Sequence, residues 1–187
     1  RCGRRFCRAA VCDHARRYHF RRLIGSKGLC EFRAALEQTV LGSETRVMRF
    51  IIISGQSGAG KSVALHALED LGFYGVDNLP LRLLPALVEE LGFDQGHPIE
   101  RVAAVVDVRS PNHDLQEFES ILTHLRKMGV DAQVLFLEAD RDILLKRFSE
   151  TRRRHPLTEG EIPLSEALHR ESNMLEPLRQ NAMLQID

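Results

Sequence analysis

The segment that most constrains the fold of this chain is a short glycine-rich run between an apolar stretch and a helical pattern. The run consists of Gly55, Gln56, Ser57, Gly58, Ala59, Gly60, Lys61 and Ser62. It matches the spacing G-x-x-x-x-G-K-[ST], in which glycines let the backbone curl and direct successive N–H groups at phosphate oxygens. A strand-like run precedes it and a helix-like run follows it, as the motif requires. The sequence therefore predicts a phosphate-binding loop, or P-loop.

A glycine-rich turn with a surface lysine is the alternative interpretation of this run. The four fixed positions of the P-loop motif occur together by chance in roughly one in a hundred chains of this length, so we favour the phosphate-binding loop. We expect the Lys61 ammonium to reach the β- and γ-phosphates of a nucleotide, and we also name Lys61 as a catalytic residue. We expect the Ser62 hydroxyl to ligate Mg²⁺, and the helix that begins at Lys61 to add its positive dipole end.

Strand and helix patterns alternate along the chain from Met48 onward. Short β-branched or apolar runs predict strands at 49–54, 73–76, 101–106, 133–137 and 182–186. Helical periodicity predicts helices at 61–71, 80–91, 114–128, 141–151 and 164–173, with a short one near Leu178. This alternation predicts an α/β fold of the P-loop NTPase, kinase-like type, with a three-layer arrangement and a parallel sheet of about five strands.

Acidic residues follow two of the predicted strands. Asp107 ends the apolar run 102–106, and Asp77 ends the second strand. Ligands of parallel sheets bind beyond the carboxyl ends of the strands, where P-loop proteins keep an acid near Mg²⁺. We therefore predict Asp107 as a metal ligand and catalytic residue, and we hold Asp77 as a second candidate. The alternative role for either carboxylate is to cap a turn or helix.

Arginines cluster after the fourth predicted strand. Arg152 and Arg153 are predicted catalytic residues, acting as cations of a lid that stabilises charge on a transferring phosphoryl group. The same cluster also contains Arg147, Arg154 and His155. A solvated helix end is the alternative, because cations also favour a helix C-terminus. Two further histidines, His66 and His124, fall inside predicted helices and are expected to be surface or partly packed residues.

The first 47 residues differ in composition from the rest. They carry 11 Lys/Arg and 4 Asp/Glu, whereas residues 48–187 carry 15 and 22. We interpret 1–47 as a non-native or disordered basic extension, with Met48 as the biological start, and 48–187 as the nucleotide-binding domain. Two weaker alternatives are nucleic-acid binding by its arginine pairs and a zinc site, although the cysteine spacing matches no zinc finger. The zinc candidates are Cys2, Cys7, Cys12, Cys30, His14 and His19.

From Met48 onward the chain resembles the RapZ/YvcJ family of bacterial P-loop nucleotide-binding proteins, some of which are known as RNase adapter proteins. The resemblance extends over nearly all of 48–187 and is far more specific than the P-loop alone. It rests on residues 54–65, 68–74, 76–80, 107–110, 135–141, 151–153, 155–157, 171–172 and 175–179.

The resemblance implies more than the residues alone predict. Family members bind ATP and GTP and hydrolyse them weakly, and the ATP site corresponds to residues 55–62. A second motif, assigned to GTP, corresponds to Asp107, Val108, Arg109 and Ser110. The best-known members hand a small regulatory RNA to a ribonuclease and sense a sugar phosphate. A C-terminal domain, absent here, carries those functions in the family, so we expect this chain to be partial and do not assign it RNA binding.

Taken with the P-loop, the resemblance implies a regulatory nucleotide-binding protein with weak ATPase or GTPase activity. One alternative is a small-molecule kinase on the same fold, and another is a binding module without useful catalysis. The apolar runs are all shorter than the roughly 18 residues of a membrane span. We therefore expect a soluble, cytoplasmic protein that does not contact the membrane, and we consider both a monomer and a homo-oligomer.

Overall fold

The first predicted strand lies at the centre of a five-stranded parallel sheet. A computed structural model describes residues 47–92, 99–106, 117–151, 155–158 and 162–186. The strands are β1 (Arg49–Gly55), β2 (Tyr74–Val76), β3 (Arg101–Val105), β4 (Asp131–Leu137) and β5 (Leu184–Ile186). Their order across the sheet is β2-β3-β1-β4-β5. β1 therefore pairs with β3 on one side and β4 on the other, with Ile53 opposite Val105 and Leu135.

Five α-helices connect and cover these strands in the described part of the chain. They are α1 (Lys61–Glu69), α2 (Leu84–Gly92), α3 (Phe118–Lys127), α4 (Arg141–Thr151) and α5 (Leu164–Gln180). A 3₁₀ turn at Leu81–Leu83 leads directly into α2. Gly72, with φ 85°, makes the turn that separates α1 from β2.

Alternating side chains of the central strands form two cores, one on each face of the sheet. Ile51 and Ile53 of β1 pack on one face with Ala64, Leu65 and Leu68 of α1. Phe50 and Ile52 pack on the opposite face with residues of α2, α3 and α5. The residues from these three helices are Leu84, Val88, Phe118, Leu122, Leu125, Leu175 and Leu178. Helices therefore lie on both faces, and the predicted three-layer α/β fold with a parallel sheet is confirmed.

The C-terminal helix differs from its prediction. Residues 164–173 and a separate short helix near Leu178 were expected, but α5 runs without interruption from Leu164 to Gln180, with Pro177 inside it. Proline removes one backbone donor and favours a break. Leu175 and Leu178 are fully buried, and their packing on either side of Pro177 stabilises the continuous helix.

Smaller differences concern the ends of elements. The helix predicted at 61–71 ends at Glu69, because the Leu71 N–H bonds to the Leu68 carbonyl in a tighter turn. β4 begins at Asp131, two residues earlier than predicted, because Asp131 and Ala132 pair with Arg49 and Phe50. The predicted start of α3 at 114 lies outside the described residues, as do residues 1–46. In the described part of the chain, every helix is too short or too polar to cross a membrane.

Candidate functional site

The glycine-rich loop leaves the carboxyl end of β1 through a position that only glycine fits. Gly55 has φ 141°, and a Cβ built on it would overlap the backbone carbonyl of Leu137 in β4. The same carbonyl accepts a hydrogen bond of 3.0 Å from the Gln56 N–H. The first glycine of the motif therefore lets the loop start flush against the neighbouring strand.

The loop then curls into the amino end of α1. Gly58 and Gly60 both have positive φ, 86° and 111°, and the Ala59 N–H donates to the Gln56 carbonyl over 3.1 Å. Gly60 is the N-cap of α1, and it supplies no side-chain hydrogen bond to the first turn. Helices normally satisfy these amino-terminal N–H groups with a capping side chain. The uncapped turn, at the positive end of the helix dipole, is suited to an anion.

The Lys61 ammonium lies over the start of this loop. Its Nζ donates to the Gly55 carbonyl over 2.7 Å and to the Gln56 carbonyl over 3.2 Å. Ser62, the next residue, is exposed in the first turn of α1. The loop thus places an ammonium, a hydroxyl and a helix amino terminus side by side, and these are groups that attract phosphate and Mg²⁺.

Two neighbouring segments hold the outside of the loop. The Gln56 side-chain oxygen accepts a hydrogen bond of 3.1 Å from the Ala139 N–H, just after β4. Arg147 of α4 donates to the Gly58 carbonyl over 2.7 Å. A Cβ on Gly58 would lie 3.5 Å from Phe148 of the same helix, so α4 packs closely against the loop. The loop is therefore fixed to β4 and α4 as well as to β1.

A buried carboxylate from α5 holds the third residue of the loop. Both oxygens of Glu171 accept the Ser57 N–H at 3.0 Å, and Oε1 also accepts the Ser57 hydroxyl at 2.6 Å. His155 Nε2 lies 3.0 Å from Glu171 Oε2. The Leu157 N–H donates to His155 Nδ1 over 3.1 Å, which assigns the ring proton to Nε2 and makes that nitrogen the donor to Glu171.

These contacts determine the ionisation of Glu171. Glu171 is 0 % exposed to solvent, and His155 is 3 % exposed. Burial raises the pKa of the Glu171 carboxyl, but hydrogen bonds from His155 and Ser57 outweigh burial and hold the pKa below its usual value. A charged carboxylate is therefore stably buried behind the phosphate-binding loop.

Sequence reasoning missed Glu171 and gave His155 a different role. His155 was grouped with the lid arginines, but it is buried against Glu171 and the ring of Phe148, whose centroid is 5.2 Å away. Glu171 occupies the apolar stripe of α5, together with the buried residues Ala167, Leu168, Leu175 and Leu178. The sequence could have pointed to Glu171, because a carboxylate in an apolar helix stripe must have hydrogen-bond partners in the core.

Other predicted site residues are exposed or lie outside the described residues. Asp77 is exposed after β2, and His66 and His124 are exposed on α1 and α3, as expected for the two histidines. Within the described ranges, His, Cys, Asp and Glu form no group of three that would hold a metal. The residues outside the description are Asp107, Val108, Arg109, Ser110, Arg152, Arg153, Arg154 and the zinc candidates before residue 47.

The parallel sheet with β1 at its centre, and the glycine-rich loop between β1 and α1, define a protein of the P-loop fold class. Within that class, the chain belongs to the family described as RapZ-like N-terminal domain, which matches residues 48–187. The predicted family resemblance is therefore confirmed.

Curated relatives support the family assignment. A protein named nucleotide-binding protein from Halorhodospira halophila is 51% identical over 140 residues, which is 75% of this chain and 49% of the relative. Similarly named proteins from Methylococcus capsulatus and Thioalkalivibrio sulfidiphilus are 46% and 52% identical, with 75% of this chain and 48% and 49% of each relative covered. The chain thus spans about half the length of the curated relatives it matches.

Solved structures show a more distant likeness. Shikimate kinase from Bacteroides thetaiotaomicron is 16% identical with a TM-score of 0.44, over 74% of this chain and 84% of the kinase. A de novo designed protein with a P-loop NTPase fold is 14% identical with a TM-score of 0.34, over 71% of this chain and 92% of the design. The strand order and the glycine-rich loop define the fold independently of these likenesses.

Proposed function

We propose that this chain binds the phosphates of a nucleoside triphosphate, ATP or GTP, together with Mg²⁺, on the loop formed by residues 55–62. The observation that carries the proposal is the uncapped amino terminus of α1 beside the Lys61 ammonium. An anion at this terminus would gain the helix dipole and backbone N–H donors at once. The names of the curated relatives agree with nucleotide binding.

Each group of the loop has a role in the proposed complex. Lys61 would exchange its hydrogen bonds to the Gly55 and Gln56 carbonyls for contacts with phosphate, which offers a stronger charge-assisted partner. The exposed hydroxyl of Ser62 would provide one ligand to Mg²⁺, and phosphate oxygens and water would provide others. Asp107 remains the proposed acidic partner of the metal, and residues 107–110 the proposed second nucleotide motif.

We also propose that turnover of the bound nucleotide is slow and serves regulation. Glu171 is the carboxylate that contacts the loop in the described part of the chain, but its oxygens are taken up by Ser57 and His155. A general base must instead reach a water molecule or a substrate hydroxyl. Glu171 is therefore unsuited to activating water. An RNase-adapter role, with RNA and a ribonuclease as partners, is proposed on the basis of family resemblance alone.

Calorimetric titration with Mg²⁺–ATP and Mg²⁺–GTP tests the binding proposal. We expect Lys61→Ala to weaken the tighter nucleotide by roughly tenfold or more, about 1.4 kcal/mol. Lys127→Ala, which removes an exposed lysine at the end of α3, is the matched control and should bind like wild type. Equal affinity of the Lys61→Ala and Lys127→Ala proteins, or no binding by folded wild type, would contradict the proposal.

A phosphate-release assay separates the proposed slow hydrolysis from kinase activity. We expect wild type to release phosphate slowly from ATP or GTP at a rate that does not change when candidate small-molecule acceptors are added. Transfer to an acceptor much faster than to water would instead identify a kinase. Binding with no release would leave a nucleotide-responsive binding module.

A further inference from the structure

We propose that Glu171 and His155 are positioning residues of the nucleotide site, which hold the phosphate-binding loop in its binding conformation through Ser57. The inference rests on the proposed function and assigns a role to two residues outside the loop motif. Glu171 lies 114 positions from Ser57 in the sequence, so this link depends on the fold of the whole domain.

The contact from α5 fixes both the backbone and the side chain of Ser57. The N–H lies 3.0 Å from each Glu171 oxygen, and the hydroxyl lies 2.6 Å from Oε1. Because the Ser57 N–H points at a buried carboxylate, the contact sets the orientation of the peptide that enters Ser57. The peptides that follow, through Gly58 and Gly60, begin from that orientation.

The loop needs such a fixed point because its own sequence is permissive. Three of its residues, Gly55, Gly58 and Gly60, have positive φ and lack side chains that would restrict the backbone. A loop held in one conformation before binding avoids the entropy of ordering during binding. If only a tenth of the molecules kept the competent conformation, the apparent Kd would rise about tenfold.

His155 completes the arrangement through a hydrogen bond to Oε2 of the carboxylate. Its Nε2–H donates to Glu171 Oε2, and its Nδ1 is occupied by the Leu157 N–H, so the ring cannot turn its acceptor toward residue 171 without losing a bond. A glutamine at 171 would replace one acceptor oxygen with an amide NH₂. That group would meet a donor at His155 or at Ser57. Glu171→Gln is therefore nearly isosteric but disrupts the hydrogen bonds.

The central experiment measures Mg²⁺–ATP affinity by calorimetry at a temperature well below the Tm of each variant. We expect Glu171→Gln to raise the Kd about tenfold and Ser57→Ala to raise it less, since the Ser57 N–H remains. The protein carrying both Glu171→Gln and Ser57→Ala should have a Kd little higher than that of Glu171→Gln alone, because both changes act through the same contact. Glu166→Gln, on the same helix in an exposed pair with Arg170, is the matched control and should bind like wild type.

A second pair of variants separates positioning from general packing. His155→Gln can keep an N–H donor near the Nε2 position, so we expect most of the affinity to remain. His155→Leu removes the donor and should approach the Kd of Glu171→Gln. A merely structural role would lower the Tm of these variants and leave the Kd of the folded protein unchanged.

The outcomes distinguish this inference from the proposal on which it rests. If wild type does not bind Mg²⁺–ATP or Mg²⁺–GTP, the proposed function fails, and the inference fails with it. If wild type binds and folded Glu171→Gln binds equally well, only the inference is overturned. If Glu171→Gln does not fold, the comparison of Ser57→Ala and His155→Leu with His155→Gln decides: unchanged affinity in all three overturns the inference.

Discussion

Gly55 is the residue at which the site leaves the least room for change. A side chain there would have to displace the Leu137 carbonyl, which belongs to the central pairing of β1 with β4. Movement of that carbonyl would also disturb its hydrogen bond with the Gln56 N–H. A single glycine therefore joins the integrity of the sheet to the start of the phosphate-binding loop.

We expect Gly55→Ala to lower the free energy of unfolding by about 3 kcal/mol or more, since backbone strain and overpacking each cost about 1–3 kcal/mol. Urea denaturation measures the change. Gly129→Ala is the matched control, because Gly129 also has positive φ, 81°, but a Cβ there would meet nothing within 4 Å. The control should lose only the cost of strain. Equal losses in the two variants would show that the overlap with Leu137 is unimportant.

The buried carboxylate of Glu171 makes a pH-dependent contribution to stability. Its pKa is lowered in the folded protein, because hydrogen bonds from His155 and Ser57 outweigh the cost of burial. The folded state therefore binds the proton less tightly than the unfolded state does. Such a group stabilises the protein fully above its unfolded pKa, near 4.5, and loses that contribution as the pH falls through its lower folded pKa.

We expect wild type to have a larger free energy of unfolding than Glu171→Gln at neutral pH. This gap in unfolding free energy should narrow as the pH falls below about 4.5. Denaturant unfolding of both proteins between pH 3 and pH 7, roughly the range over which carboxyl groups titrate, measures the gap. His155 contacts Glu171 in the described structure. The Glu171→Gln/His155→Gln protein, which lacks both side chains, therefore serves as a further reference. A gap independent of pH would contradict a charged Glu171.

Helix α1 joins the loop to the core on one face of the sheet. Leu68 near its end is 0 % exposed and packs with residues of β1 and β3, whereas Leu71, just beyond the helix, is 43 % exposed. The burial of Leu68 fixes the direction of α1, and therefore the position of its amino terminus. The stability of this element and the geometry of the site consequently depend on the same packing.

We expect Leu68→Ala to cost about 2–5 kcal/mol of unfolding free energy, as is usual for truncating a buried leucine. Leu71→Ala is the matched control and should change stability by about 0.5 kcal/mol or less. Thermal or urea unfolding of the two variants gives the comparison. Similar costs for both would show that α1 is not anchored through Leu68.

The elements could be predicted where local pattern and tertiary packing agree. β1, α1 and α4 have strong periodicity or a motif at one end, and the alternation of strands and helices was enough to predict the parallel sheet. Local pattern failed at Pro177, where packing of α5 overrides the preference of proline to end a helix. Among the element boundaries, α1 ends two residues earlier than predicted because a tighter turn follows Glu69, and β4 begins two residues earlier because its first residues pair with β1.

The site was predictable only in part, for a related reason. Residues 55–62 form a contiguous motif whose spacing carries its chemistry. The contact of Ser57 with Glu171 joins positions far apart in sequence, and no local spacing encodes it. Glu171 stood out only as a carboxylate on an apolar helix face, which the helical pattern of α5 would have revealed.

In the whole molecule, the loop is the point where several elements meet at one edge of the sheet. β1 lies between β3 and β4. The segment that leaves its carboxyl end is therefore contacted by Leu137, the last residue of β4, and by Ala139, which follows β4. Arg147 of α4 and Glu171 of α5 reach it from the helical layers. Ligands of parallel sheets bind beyond the carboxyl ends of the strands, which is where this loop lies.

The most direct test of the proposed site is to locate the nucleotide on the protein by amide chemical shifts. ¹H–¹⁵N spectra of wild type and Lys61→Ala are recorded during titration with Mg²⁺–ATP and, separately, Mg²⁺–GTP. We predict that in wild type the largest shifts fall on the amides of residues 57–62, with small ones on α3, and that Lys61→Ala needs about tenfold more nucleotide for the same change. Saturable shifts centred elsewhere, with the amides of 57–62 unchanged, would contradict binding of the phosphates on this loop.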